Sequence, residues 1–227
     1  MKAQLQILIC TVARRLGGID TDGLPVMPSV SYLICCQCPD GVRPDVSETL
    51  ARRNDVSVIF FDDRGLSRNR NHSLAASEAP YLLISDDDIA YSAEGLAAVI
   101  DAFDTDPALD IVATRSVIPE PHVYPPDGHD LAVPYPRYSA ISFEIALRRR
   151  SWQRSGVLFS ELAGIGAPYL AAGEEQIFVH RLLEAGLRGR FIDAVVSHHR
   201  GTTTSVREAA RPGVVRAKGA LMRIERG

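Results

Sequence analysis

Three consecutive carboxylates, Asp86, Asp87 and Asp88, close the apolar run 81–85. Open α/β sheets bind ligands beyond the carboxyl ends of their strands, so these acids stand where a site is expected. Alternation along an extended chain sets Asp86 and Asp88 on one face and Asp87 on the other. No basic residue lies within six positions on either side, so the two like charges repel unless a cation stands between them. Oxygen ligands select Mg²⁺ or Mn²⁺, which keep water and substrate phosphate in their shells. The competing reading is a solvated acidic turn at the start of the next helix.

Just upstream, residues 63–71 read Asp-Arg-Gly-Leu-Ser-Arg-Asn-Arg-Asn and open a helix directly after a strand-like run. A helix start with glycine and arginines suits phosphate. Gly65, Ser67, Arg68 and Arg70 would then hold a nucleoside diphosphate, or the arginines would orient the aspartates. Glu174 and Glu175 open another helical stretch behind a small-residue loop, where two acids also suit the helix dipole with no further role. His198 and His199 end the last strand-like run. They are either partly exposed residues or imidazoles available to Mn²⁺. Tyr124, Tyr135 and Trp152 could stack on a sugar face or simply pack.

The elements that must position these groups follow from the apolar pattern. Runs at 5–12, 30–36, 56–61, 81–85 and 111–114 have strand length and β-branched content, and they are continuous rather than alternating. Such runs suit strands covered on both faces of a parallel sheet. Helices are expected at 46–54, 66–77, 95–103 and 174–185, further strands at 140–147 and 191–197, and a basic turn at 148–150. The alternation predicts an α/β fold with a mostly parallel central sheet flanked by helices. Six prolines between 119 and 136 exclude regular structure there and mark a loop near the site.

Composition narrows the function. The chain has 227 residues, 46% hydrophobic and 23% charged, which fits an ordinary globular domain. Twenty-five Lys and Arg against 28 Asp and Glu give a net charge of −3, which excludes the basic signature of a nucleic-acid binder. The longest uncharged stretch, 23–39, is broken by Pro25, Pro28 and Pro39, so no transmembrane segment is expected. The apolar run 5–13 meets Arg14 and Arg15 with no cleavage site, and the expected location is the cytoplasm. Cys10, Cys35, Cys36 and Cys38 read as buried free thiols. The segment 206–227 carries six basic residues against two glutamates and reads as a helix. It could touch anionic lipid, with Leu221, Met222 and Ile224 on the domain.

Three segments in order resemble family 2 glycosyltransferases. GLSRNRNHSLAASEAPYLLISDDDIAY is similar to the family's Arg-Asn helix start and Asp-x-Asp metal motif. FSELAGIGAPYLAAGEEQIFVHRLLEAG resembles its acceptor-side loop and Glu-Asp helix start, and AVVSHHRGTTTS its strand ending in a metal-side histidine.

The resemblance implies a single GT-A-like domain over 1–227. About 1–115 would bind a nucleotide-sugar, about 116–205 the acceptor, and 206–227 would be a basic tail. It implies inverting transfer from a donor, UDP-linked by expectation, to a saccharide or lipid-linked acceptor, with Mn²⁺ or Mg²⁺ on the diphosphate. Asp86 and Asp88 match the metal motif, Asp88 as direct ligand, with His198 or His199 beside the metal. Thr11, Arg70, Asn71, Asp86 and Asp87 match the nucleotide side. Glu175 matches the base, with Glu174 its neighbour. Gln37 stands where many members carry an acid for the nucleotide base. The alternatives are a metal-dependent nucleotidyltransferase and a non-catalytic nucleotide-sugar-binding module. A triphosphate loop would need lysines, and only Lys2 and Lys218 occur.

Overall fold

The computed structural model describes residues 3–199, 201 and 210–226, with side chains as far as Leu221. The strands are β1 (Leu5–Val12), β2 (Val30–Gln37), β3 (Val56–Phe61), β4 (Tyr81–Asp86), β5 (Ile89–Tyr91), β6 (Ile111–Val117), β7 (Ile145–Arg148) and β8 (Gly189–His199). The helices are α1 (Glu48–Ala51), α2 (Leu66–Ala76), α3 (Ala93–Thr105), α4 (Arg149–Ser155), α5 (Glu174–Glu184) and α6 (Pro212–Arg226).

One sheet carries the strands in the order β3-β2-β1-β4-β7-β6-β8-β5. The first four are all parallel, as their continuous apolar runs require, and β6 and β8 are parallel as well. β7 runs antiparallel to both neighbours, and β5 antiparallel to β8. The period of two along each strand divides the core into two layers. Leu5, Ile7, Ile9, Ile34 and Cys36 meet Leu96, Val99 and Phe103 of α3 on one face. Leu8, Leu33 and Cys35 meet Leu74 of α2 and Phe178 and Leu182 of α5 on the other. Cys35 and Cys36 therefore fall in opposite layers, and all four cysteines are free and buried.

Two local expectations are corrected. Residues 140–147 are not one strand: Ser142–Glu144 form a 3₁₀ turn, and only Ile145–Arg148 join the sheet. Polar side chains at 142 and 144 have partners there that a regular strand would not give them. Residues 148–150 are not a turn. Arg148 ends β7 and its buried guanidinium donates to the carbonyls of Phe103, Asp106 and Leu109, and α4 starts at Arg149. The three residues of β5 are too short to signal themselves. The tail is helical: Leu221 packs on Gly173, while the side chains of Met222 and Ile224 and the residues 202–209 lie outside the described residues. Among the described residues no helix is long and apolar enough to cross a membrane.

Candidate active site

β1 and β4 run side by side and end together, Cys10 in register with Asp86. β1 delivers Thr11, which is buried, and its hydroxyl donates to Asp87 Oδ2 at 2.5 Å. From α2, the buried Asn69 amide donates to the carbonyls of Thr11 and Cys35, tying the helix to the ends of β1 and β2.

The chain leaves the extended conformation after Asp86, and Asp87 and Asp88 form a turn into β5. The expected alternation of the three carboxylates is therefore interrupted. Their repulsion is answered by two guanidiniums from far along the chain. Arg15, in the 3₁₀ turn Ala13–Gly18 after β1, lies 2.6 Å from Asp87 and 2.9 Å from Asp88. Arg70 Nη2 lies 3.1 Å from Asp86 Oδ1, while Ser142 donates to Asp86 Oδ2 at 3.0 Å. Burial pushes Asp87 up to about 6, against the Thr11 hydrogen bond and the Arg15 charge.

Arg70 is 2% exposed, and its other arm reaches Glu174 Oε1 at 2.7 Å. Burial alone would disfavour its charge, but Asp86 and Glu174 together hold it protonated, above the usual arginine range. The side chain also lies over the Phe159 ring, 5.4 Å from its centroid. The sharp approach to this pair needs Gly164, at φ +99°: a Cβ there would sit 3.0 Å from Ser67 Oγ and 3.1 Å from Glu174 Cδ.

Glu175 is the acid left without a cation. Its Oε1 meets the Gln176 amide at 3.3 Å, while Oε2 is shut from solvent and has no hydrogen-bond partner among the described residues. Burial, then Glu174 beside it, push Glu175 up to about 8, against Arg70. A carboxylate so raised, at the first turn of a helix, is suited to take a proton near neutral pH. Gly173, at φ +84°, turns the chain into α5 and leaves room for Leu221.

Alternation along β8 separates the two histidines. His198 is exposed. His199 is buried, its Nε2 lies 3.5 Å from Asp88 Oδ1, and its Nδ1 has no partner among the described residues. Among the described residues no three His, Cys, Asp or Glu side chains converge as a metal cluster. Cations on diphosphates are commonly held by one or two protein ligands plus phosphate oxygens. Asp88 pairs with Arg15 through Oδ2 and keeps Oδ1 toward His199, so these two side chains fit that requirement, whereas both oxygens of Asp86 are engaged, by Arg70 and Ser142.

Several expected nucleotide contacts point elsewhere. Asn71 exchanges two hydrogen bonds with the Phe159 backbone, because its place on α2 faces that segment and not the strand ends. Gln37 is buried and donates to Asp63 Oδ1 and the Gly65 carbonyl. Ser67 donates to the Ala163 carbonyl, and Arg68 pairs on the surface with Glu161. Asp63, which also meets His72 at 2.6 Å, was not anticipated, nor were Arg15 and Ser142. The pair Arg14-Arg15 directly after an apolar strand was the available signal for the first of these. Of two surface cavities, neither is lined by Arg70, Asp86, Asp88, Glu174 or Glu175. One of about 310 Å³ lies between the ends of β1 and β2, lined by Ala13, Arg14, Cys38 and Pro39. One of about 140 Å³ lies between Gly65 and the loop at Ile165–Pro168.

A family model described as glycosyl transferase family 2 matches residues 38–159, more than half of the chain. No curated protein matches in sequence. Crystal structures of S. aureus TarS share the fold. One superposes with a TM-score of 0.68 at 13% identity, covering 90% of this chain and 38% of that one. A TarS 1–349 structure in complex with UDP gives 0.67 at 15%, covering 96% and 65%. The same fragment with UDP-GlcNAc gives 0.65 at 14%, covering 88% and 59%. The chain thus spans less than two thirds of the solved chains it matches.

Proposed function

Because the chain belongs to glycosyl transferase family 2, we propose that it transfers a sugar from a nucleoside-diphosphate donor to an acceptor hydroxyl, with inversion. The half around 1–115 would hold the donor and the half around 116–205 the acceptor. TarS structures hold UDP and UDP-GlcNAc, so a uridine diphosphate is the first donor to try. The cavity at the ends of β1 and β2 is where its nucleoside would lie. We place the chain in the cytoplasm, with its basic tail available to a membrane surface.

The observation that carries this reading is the division of labour between two adjacent acids. Glu174 is held by Arg70, whereas Glu175 keeps a buried oxygen without a partner among the described residues. In the proposed step the acceptor oxygen forms a bond to the anomeric carbon as its proton passes to Glu175. The bond from that carbon to the diphosphate breaks, and its electron pair leaves with the nucleoside diphosphate. Attack opposite the leaving group inverts the carbon. A divalent cation held by Asp88 and His199 would neutralise charge on the leaving diphosphate. Arg15 fixes Asp87 and Asp88, and Arg70 fixes Asp86 against α5, so the donor side and the base share one rigid link.

The test is thermal stabilisation by a panel of nucleoside diphosphates, each with and without Mn²⁺, followed by transfer assays with Glu175→Gln. A Mn²⁺-dependent shift with one nucleotide, and transfer lost in the variant, are expected. No shift with any nucleotide would remove the donor site, and full transfer by Glu175→Gln would remove the base.

A further inference from the structure

The loop that follows α4 exposes large apolar side chains out of proportion to its length. Leu158, Leu162, Ile165 and Tyr169 are 48–65% exposed. The loop is closed on itself: Leu170 donates to the Leu162 carbonyl and Gly164 to the Leu170 carbonyl. It is also fastened to the domain, by Leu66 donating to the Ile165 carbonyl. The exposed side chains therefore stand on an ordered platform. α6 is seated against the same loop, Arg216 donating to the Tyr169 carbonyl and Ala171 to that of Gly213. It adds Val215, 55% exposed, to the apolar set.

Among the described residues of this loop and α6, basic side chains outnumber acidic ones. Arg64 lines the same cavity as Ile165, and Arg216 and Lys218 are exposed on α6. The one acid in the loop, Glu161, is paired with Arg68. This local excess of positive charge sits on a chain whose net charge is −3. Exposed apolar groups rimmed by basic side chains match the interface of an anionic bilayer, where burial and charge attraction act together. A protein partner needs no such rim, and self-association would oppose like charges. Ile165 and Pro168 also wall the 140 Å³ cavity, together with Gly65 and Ser67 at the start of α2.

We infer that the 158–169 loop and the first turns of α6 form one surface that docks on an anionic lipid bilayer, so that the acceptor is a lipid-linked molecule. The acceptor clause rests on the transferase reading. The docking surface itself does not, and vesicle binding is measured without any donor.

The experiment is co-sedimentation of the full chain with phosphatidylcholine vesicles and with equimolar phosphatidylcholine and phosphatidylglycerol vesicles. Binding is expected only to the anionic vesicles, weakening as salt rises. The triple variant Leu162→Ser, Ile165→Ser, Tyr169→Ser and the pair Arg216→Glu, Lys218→Glu should each lower partitioning by about tenfold or more. Val26→Ser, an equally exposed apolar site far along the chain, should leave it unchanged. Unfolding midpoints near wild type would show that the variants fold. The inference is overturned by no partitioning to either vesicle, or by partitioning that survives the triple variant. It is equally overturned by a dimer or protein complex that the triple variant dissolves. If vesicles bind but no nucleotide shifts the midpoint, the docking surface stands and the transferase reading fails.

Discussion

Arg70 and Glu174, 104 positions apart, form a buried ion pair of 2.7 Å that joins α2 to the first turn of α5. Because the same guanidinium holds Asp86, one side chain fixes the end of β4 relative to the helix that carries Glu175. The pairing also explains why two adjacent glutamates are not equivalent. Glu174 is held by the arginine, and its charge raises the affinity of its neighbour for a proton.

Arg70→Met should therefore destabilise the fold strongly, since it leaves Glu174 buried without a partner. Removing one member of a buried pair typically costs roughly 3–5 kcal/mol. Denaturant unfolding measures it. A loss below about 1 kcal/mol, the size found for exposed pairs, would mean the pair is not buried in solution.

Glu175→Gln should lower kcat by about 10²–10⁴-fold while sparing donor binding. The base must be unprotonated to act, so kcat/KM in the wild type should rise with pH and level off near the value of about 8 to which burial pushes the carboxyl. A bound cation would move that limb down. A profile flat from pH 6 to pH 9, measured with saturating Mn²⁺ and without it, would assign the proton to another group.

The parallel half of the fold was legible because each of its strands is a continuous apolar run whose meaning needs no distant partner. Tyr81–Asp86 and the acids after it were readable for the same reason. What could not be read was pairing across the chain. A window of six residues around the acids contains no cation, yet Arg15 reaches Asp88 from 73 positions away and Arg70 reaches Asp86 from 16. The roles expected of Gln37 and Asn71 come from the family resemblance. Their faces are set by packing against Asp63, Gly65 and Phe159, which no local pattern reports. His198 and His199 show the converse case: the two-residue period settles which is buried once the strand is known to reach 199.

Asp88→Asn and His199→Gln should each abolish the Mn²⁺ dependence of nucleoside diphosphate binding, whereas His198→Gln should not. Ligand at 100 times its dissociation constant adds about 2.7 kcal/mol of stability, enough to read as a shift in midpoint. Loss of the shift in His198→Gln, with His199→Gln unaffected, would reverse the histidine assignment.

Glu144 predicts a pH dependence of stability that does not pass through the reaction. Its residue follows Ser142, which holds Asp86, and Phe143, whose ring lies 5.5 Å from that of His199. Its own carboxylate accepts from Ser116, from Tyr124 at 2.7 Å and from the backbone of Ile141. Tyr124 belongs to the proline-rich loop, so Glu144 joins that loop to the site. Burial pushes the carboxyl from 4.5 up to about 7, against those hydrogen bonds. Between these values the native state keeps a proton that the unfolded chain has released. Glu144 therefore contributes a loss of stability as pH rises from about 4.5 to 7, and none of it remains to be lost above that. The loss is on the order of 3 kcal/mol, at about 1.4 kcal/mol per pH unit. Glu175 and Asp87 are raised too and add slope of the same sign, so the readout is the difference between wild type and Glu144→Gln. The variant cannot ionise, and its stability relative to wild type should climb by that amount between pH 5 and pH 8. Parallel curves for the two proteins over that range would show that Glu144 titrates at its ordinary pH and is not buried as described.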